Sequence, residues 1–360
     1  MFIIKLTPAV VLAFLAGANA KDIFVSPTGT GSGTLAAPYG SIQSAIDAAK
    51  AGDFIYLQKG TYAPSKNIQI KTSGAKGSPI TVKPYQSEKV IIDGENMPGI
   101  INGPYGIYAR DASNNYYEGL STHDNYETGF QLEGASANNQ VINLDSYRNR
   151  DPRKNGESAD GFACKDGTGE GNVLRNARLW DNVDDGLDLY MFGSPVTLDE
   201  VYAWGNGFNL WDFKDFNGDG NGFKLGITNN PPANHIVKNC IAFQNAKKGF
   251  IDNGNPGSLT FNRNTAWKNG DNGFNLRSSS SKVTKNIAVG NKGEQVSLNS
   301  KVTASGNSWD SKDTWNDASF KSTNAATLKG ARGSDGRVKA SDFLVPASGA
   351  GLGATTQAKV

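Results

Sequence analysis

Ala203-Trp204-Gly205-Asn206, Ala242-Phe243-Gln244-Asn245, Ala266-Trp267-Lys268-Asn269 and Ala288-Val289-Gly290-Asn291 share one form: alanine, an apolar residue, a variable residue, asparagine. Weaker copies end at Asn125, Asn149 and Asn182. From Asn to Asn the steps are 24, 33, 24, 39, 24 and 22 residues. A base period near 23 residues is the mark of a solenoid, in which each repeat buries its apolar face only against its neighbours. Within a unit the short runs Val237–Ile241, Thr260–Asn262 and Lys282–Thr284 are bounded by Asn and Gly, as strands are. The leucine pattern of a leucine-rich repeat is missing. An all-β parallel β-helix of about ten coils follows, with three short strands per coil stacked about 4.8 Å apart.

Register then converts sequence offsets into columns. The recurring asparagines are expected at turns, in the left-handed conformation that asparagine tolerates, hydrogen-bonded to one another up the stack. The apolar residues two positions earlier, Tyr147, Trp180, Trp204, Phe243, Trp267 and Val289, form a column that reads as interior core, with a platform for sugar rings as the alternative. A glycine column follows four residues after the Asn, at Gly129, Gly186, Gly249 and Gly273. Two coils break that spacing, Asn149 to Gly161 and Asn206 to Gly222. Both insertions leave the same corner, so long loops on one face should wall a groove.

The ends differ from the middle. Met1–Ala20 has one lysine, an apolar run too short to span a bilayer, and Ala18-Asn19-Ala20, the form of a secretory signal. The mature chain is read as residues 21–360, one exported domain. Ser41–Lys50 has a serine N-cap and apolar residues at helical spacing, a helix of about 41–50 that caps the open first coil. The Ser-, Ala- and Gly-rich tail, about 310–360, is expected to pack outside the stack or over its last coil. Lys+Arg 36 against Asp+Glu 34 gives a net charge of +2, which argues against a nucleic-acid partner, and no stretch argues for membrane insertion. Two His and two Cys exclude zinc clusters and disulfide scaffolds, and Cys164 and Cys240 read more simply as buried thiols than as a pair.

The charges fall into the same register. Asp160 precedes Gly161, Asp184 and Asp185 precede Gly186, Asp188 follows it by two, and Lys224 follows Gly222 by two. Asp188 and Lys224 should therefore sit one coil apart, as should Asp160 and Asp185. Four carboxylates on two rungs repel unless a cation neutralises them, and oxygen ligands suit a hard divalent ion, Ca²⁺ or Mg²⁺. Asp215–Gly220 imitates the first half of an EF-hand loop, but the twelfth position is Gly226 rather than Glu. It reads as the insertion itself, with a second ion as an option.

Ala159–Lys165, Asp184–Leu189 and Gly220–Gly226, followed by Asn239–Ala242 and Lys248–Phe250, resemble the motifs of family-nine polysaccharide lyases, right-handed parallel β-helix enzymes that include many pectate lyases. The resemblance runs from about Asp22 into the C-terminal region. It implies that Asp160, Asp184, Asp185 and Asp188 hold a catalytic Ca²⁺, with the Val183 carbonyl as a further candidate, and that Lys224 is the Brønsted base. Lys165 and Arg153 are candidates for binding carboxylates of the substrate, and Arg148, Arg150 and Lys154 cluster around the first insertion. The substrate implied is an acidic plant cell-wall polysaccharide, pectate or homogalacturonan, acted on by a secreted monomer.

The chemistry is coherent. β-Elimination removes the C5 proton of a uronate while charge builds on its carboxylate, which a cation stabilises. The lysine must be neutral to accept the proton, so an alkaline optimum is expected. A lyase for another uronate polymer such as rhamnogalacturonan would need the same parts. A polygalacturonase-type hydrolase would need two carboxylates flanking a water, and a non-catalytic β-helix carbohydrate-binding protein would not need Lys224.

Overall fold

The computed structural model describes residues 20–95, 97 and 105–356; residues 1–19 of the proposed secretory segment lie outside them. Among these residues the chain winds through three parallel sheets of eleven, nine and nine strands. Each coil contributes one strand to each sheet in turn. Asn172–Arg175 is in the first sheet, Arg178–Trp180 in the second and Leu187–Asp188 in the third; Val196–Asp199, Tyr202–Trp204 and Phe223–Lys224 repeat the circuit.

The interior follows from strand alternation. In the third sheet Phe162, Leu187, Phe223, Phe250 and Phe274 share one register column and are buried. The Phe223–Phe250 and Phe250–Phe274 ring centroids lie 4.6 and 4.8 Å apart. The next residue of each strand must then face outward, and that column reads Gln131, Ala163, Asp188, Lys224, Ile251.

The Asn column is a buried ladder. From Asn125 through Asn149, Asn182, Asn206, Asn245 and Asn269 to Asn291, each Nδ2 donates to the next Oδ1 at 2.7–2.9 Å. The expected left-handed backbone, however, belongs to the residue before each Asn: Asp124, Arg148, Asp181, Gly205, Gln244, Lys268 and Gly290 all have φ between 53° and 68°. The asparagine thus leaves its side chain to the ladder, and its neighbour makes the turn. The glycine column is fixed by close approach. A Cβ on Gly186 would lie 2.7 Å from the Gly222 carbonyl oxygen, and one on Gly222 would lie 2.8 Å from that of Gly249.

The aromatic column is corrected. Tyr147, Trp180, Trp204 and Phe243 do stack, with centroids 4.1, 5.1 and 5.5 Å apart, but on the outside of the second sheet. The inward position of those strands is the alanine, and Ala203, Ala242, Ala266 and Ala288 join the interior core. Trp204, Phe243, Trp267 and Val289 form a separate cluster with Phe320, Leu328, Phe343 and Leu344 of the C-terminal tail, which lies along the outer face. The tail thus buries Trp204, Phe243 and Trp267, while Tyr147 and Trp180 stay half-buried.

Both ends are closed. The helix Ile42–Ala48, N-capped by Ser41, buries Ile42, Ala45 and Ile46 against the first coil. Trp309 packs on Phe274 at the other end. Cys164 and Cys240 are buried free thiols.

Candidate functional site

The outward column of the third sheet brings the predicted residues together. Asp188 pairs in register with Lys224 on the next coil and with Ala163 on the previous one. The turns before these strands carry Asp160 and Asp184-Asp185, and the Asp185 N–H donates to Asp160 Oδ1 at 3.2 Å. All four carboxylates are buried.

Each carboxylate has a defined set of partners. Asp184 ties the two insertions to the coil: its Oδ2 accepts the Ser158 N–H at 2.8 Å and its Oδ1 the Asp219 N–H at 2.6 Å. Asp185 Oδ1 accepts from the backbone N–H of Asn221 at 2.6 Å and from its side-chain Nδ2 at 2.9 Å. Asp160 Oδ2 accepts from Lys165 Nζ at 2.7 Å, and Lys165 lies 3.2 Å from Asp188. Lys224 Nζ lies 3.4 Å from both Asp185 Oδ2 and Asp188 Oδ2, and 2.7 Å from Asp219 Oδ2.

Asp219 is the member of this cluster that register reasoning misses. It sits in the second insertion, outside any repeat, and the imitation EF-hand of Asp215–Gly220 was its only signal. The two insertions also hold each other, since the Asn217 N–H donates to the Asn155 carbonyl and its side chain to Glu157. They wall a cavity of about 330 Å³ lined by Asp184, Asp188, Lys224, Lys165, Tyr190 and Tyr105, among others.

The remaining candidates stand apart. Val183 is buried, and its carbonyl oxygen lies against Gly218 of the second insertion. Arg153 is exposed on the first insertion, its N–H bonded to Asp151, and does not line the cavity, whereas Lys154 does. Arg148 pairs with Asp124 and Arg150 with Glu95, and both guanidinium groups lie over Trp211.

Electrostatics decides the state of the lysines. Burial acts to lower the pKa of Lys224, but the charges of Asp185, Asp188, Asp184 and Asp219 outweigh it and hold the ammonium well above its ordinary range. Lys165 is raised in the same way by Asp160, Asp188 and Asp184. Burial, then the Asp160 charge, pushes Asp184 up to about 7. Asp160 and Asp185 are raised first by burial. Glu127 at the edge of the cavity is pushed up to about 8 by burial and by Asp151.

The site fits a hard cation. Asp160, Asp185 and Asp188 each offer an oxygen within 4.8 Å of the others, as do Asp184, Asp185 and Asp219. Asp188 Oδ1 is buried and accepts no hydrogen bond, and Asp185 Oδ2, which also accepts none, has the Lys224 ammonium 3.4 Å away. Buried carboxylate oxygens left without donors are costly unless a cation faces them, and an all-oxygen donor set suits Ca²⁺ or Mg²⁺. Five carboxylates against two lysines leave three negative charges uncompensated when all are ionised.

Fold and site together define a β-helix protein with an oxygen-rich cation nest beside a buried lysine on one outer sheet. The chain belongs to the Pel9A-like right-handed β-helix family, whose pattern matches residues 23–299. It is 50% identical to pectate lyase PEL9 of Emericella nidulans, over 94% of this chain and 95% of that protein. Pectate lyase L of Paenibacillus polymyxa is 36% identical over 92% of this chain and 83% of that one. The crystal structure of pectate lyase Pel9A superposes with a TM-score of 0.74 at 29% identity, covering 92% of this chain and 91% of the other.

Proposed function

We propose that the protein is a secreted pectate lyase that cleaves α-1,4-galacturonan by β-elimination, with Lys224 as the base and Ca²⁺ held by Asp160, Asp184, Asp185 and Asp188. The observation that carries this reading is the adjacency of Lys224 Nζ to two buried carboxylates, 3.4 Å from each, on an outer sheet face walled by both insertions. When bound, Ca²⁺ supplies positive charge where the uronate carboxylate becomes enolate-like.

The protein's own groups do the rest. Lys224 takes the C5 proton, the electron pair left on C5 forms the C4–C5 double bond, and the C4–O bond breaks with its pair on the leaving glycosidic oxygen, which takes a proton from water. Lys224 can do so only as a free amine, and the surrounding carboxylates hold it as an ammonium. A cation held by those carboxylates would offset the charges that raise its pKa and leave burial, which lowers it, as the larger influence. Lys165, now paired with Asp160 and Asp188, is the proposed partner of a neighbouring uronate carboxylate; Arg153, at the outer rim, is the more distant candidate. The Val183 carbonyl is a candidate additional ligand.

Pectate itself is the proposed partner, and the chain is proposed to act as a monomer outside the cell. Among the described residues no helix is long and apolar enough to cross a membrane. The test is polygalacturonate turnover followed by ultraviolet absorbance of the unsaturated product, with Ca²⁺ and with chelator, and rhamnogalacturonan as a parallel substrate. Ca²⁺-dependent absorbance on polygalacturonate is the expected result. Reducing ends without absorbance would mean hydrolysis, and turnover of rhamnogalacturonan alone would move the substrate.

A further inference from the structure

We propose that Asp219 is a cation ligand carried by the second insertion, so that a divalent cation entering between Asp184, Asp185 and Asp219 exchanges places with Lys224 and pins the loop as the wall of the groove. The inference rests on the cation-dependent reading above and adds a residue and a conformational coupling to it.

Three observations support the assignment. Asp184, Asp185 and Asp219 each place a carboxylate oxygen within 4.8 Å of the others, a set distinct from Asp160, Asp185 and Asp188 but sharing Asp185. The shared residue is fully buried, and its Oδ2 accepts no hydrogen bond and faces the Lys224 ammonium at 3.4 Å, the cation that an entering ion would replace. The loop backbone is built to deliver the side chain there. A Cβ on Gly218 would lie 2.2 Å from the Val183 carbonyl oxygen, so only glycine brings the loop this close, and Gly220 turns the chain back with φ +76°. Between them the Asp219 N–H is fixed on Asp184 Oδ1 at 2.6 Å.

The present partner of the Asp219 carboxylate is Lys224 Nζ, at 2.7 Å. Asp219 is much more exposed than the other carboxylates, its side chain 56% accessible, so it can reorient without opening the coil. A cation bound by Asp184 and Asp185 competes with the ammonium for this carboxylate. Ligation would free Lys224 from its nearest anion and hold the loop closed, which orders the events: cation first, groove second, polymer third.

A role for Asp219 as mere counterion of Lys224 predicts different behaviour, and two variants separate the alternatives. Ca²⁺ alone is titrated calorimetrically into the full chain, and hydrogen exchange of residues 215–221 is followed with and without it. In the parent protein Ca²⁺ should bind and slow exchange in that segment. Asp219→Asn should bind Ca²⁺ about tenfold more weakly, as loss of one charged ligand implies, and the segment should no longer respond. In Lys224→Ala, Ca²⁺ should still slow the segment, because the ligand rather than the lysine holds it. Parent-like affinity and protection in Asp219→Asn would overturn the proposal, and so would a Lys224→Ala loop that stays fast with Ca²⁺ bound. A parent protein that binds no Ca²⁺ would overturn the functional reading as well.

Discussion

Asp184→Asn should make the cation-free protein more stable at pH 8 and leave it nearly unchanged at pH 4. Burial, then the Asp160 charge, pushes the Asp184 carboxyl up to about 7 in the fold, against an ordinary value of 3.8. Below pH 4 it is protonated in both states and contributes nothing to the pH dependence. Between 4 and 7 the unfolded chain loses the proton first, so stability falls as pH rises, and above 7 the loss levels off. Three pKa units correspond to about 4 kcal/mol. Asparagine never ionises and escapes that penalty. At pH 4 asparagine and the protonated carboxyl each offer one carbonyl oxygen to the N–H groups of Ser158 and Asp219, so the two proteins should lie within about 1 kcal/mol of each other. At pH 8 the variant should be more stable by up to about 4 kcal/mol, so the two stability curves diverge as pH rises. Urea unfolding in chelator at pH 4, 6 and 8 reads this directly. An Asp184→Asn protein that is destabilised equally at all three values would refute the buried-carboxylate reasoning. Added Ca²⁺ should reverse the order at pH 8, since the variant has lost a ligand.

Three further outcomes follow from the scaffold. Asn206→Ala removes an amide that donates to Asn245 and Leu179 and accepts from Asn182, and the stranded partners should cost about 3–5 kcal/mol by chemical denaturation. Gly186→Ala forces a methyl to 2.7 Å from the Gly222 carbonyl oxygen. It should destabilise by about 1–3 kcal/mol and weaken Ca²⁺ affinity by calorimetry, because it spreads the coils that bear Asp185 and Lys224. Phe343→Ala deletes the ring that meets Phe243 and Trp267 edge-on. Its cost should be about 3–5 kcal/mol, and limited proteolysis should cut the tail before the coils.

What could be read from the residues was whatever obeys the repeat. Asn125 to Asn291 announced the coil length, and equal offsets from the glycine column placed Asp188 beside Lys224, as the register of Leu187–Asp188 with Phe223–Lys224 shows. The sides of a strand were harder. Periodicity puts Trp204, Phe243 and Trp267 in one column, but both that column and its alanine neighbours are apolar. The larger residues looked like core, and only the non-repeating tail, with Phe343 and Leu344, reveals that they are an outer face awaiting a cover. Insertions lie beyond register altogether. Asp219 reaches the cavity from the second insertion, which no spacing encodes, whereas Glu127 sits two residues before Gly129, the offset that Asp184 has from Gly186. Arg148 and Arg150 lie against Trp211.

In the proposed reaction Lys224 is the group that removes the proton. The direct measurement is the rate of ultraviolet-absorbing product from polygalacturonate by Lys224→Ala, at a Ca²⁺ concentration that calorimetry shows to fill the site. The prediction is a folded protein with Ca²⁺ bound and a rate lower by at least about 10²–10⁴-fold. Unsaturated product formed at the parental rate would contradict it.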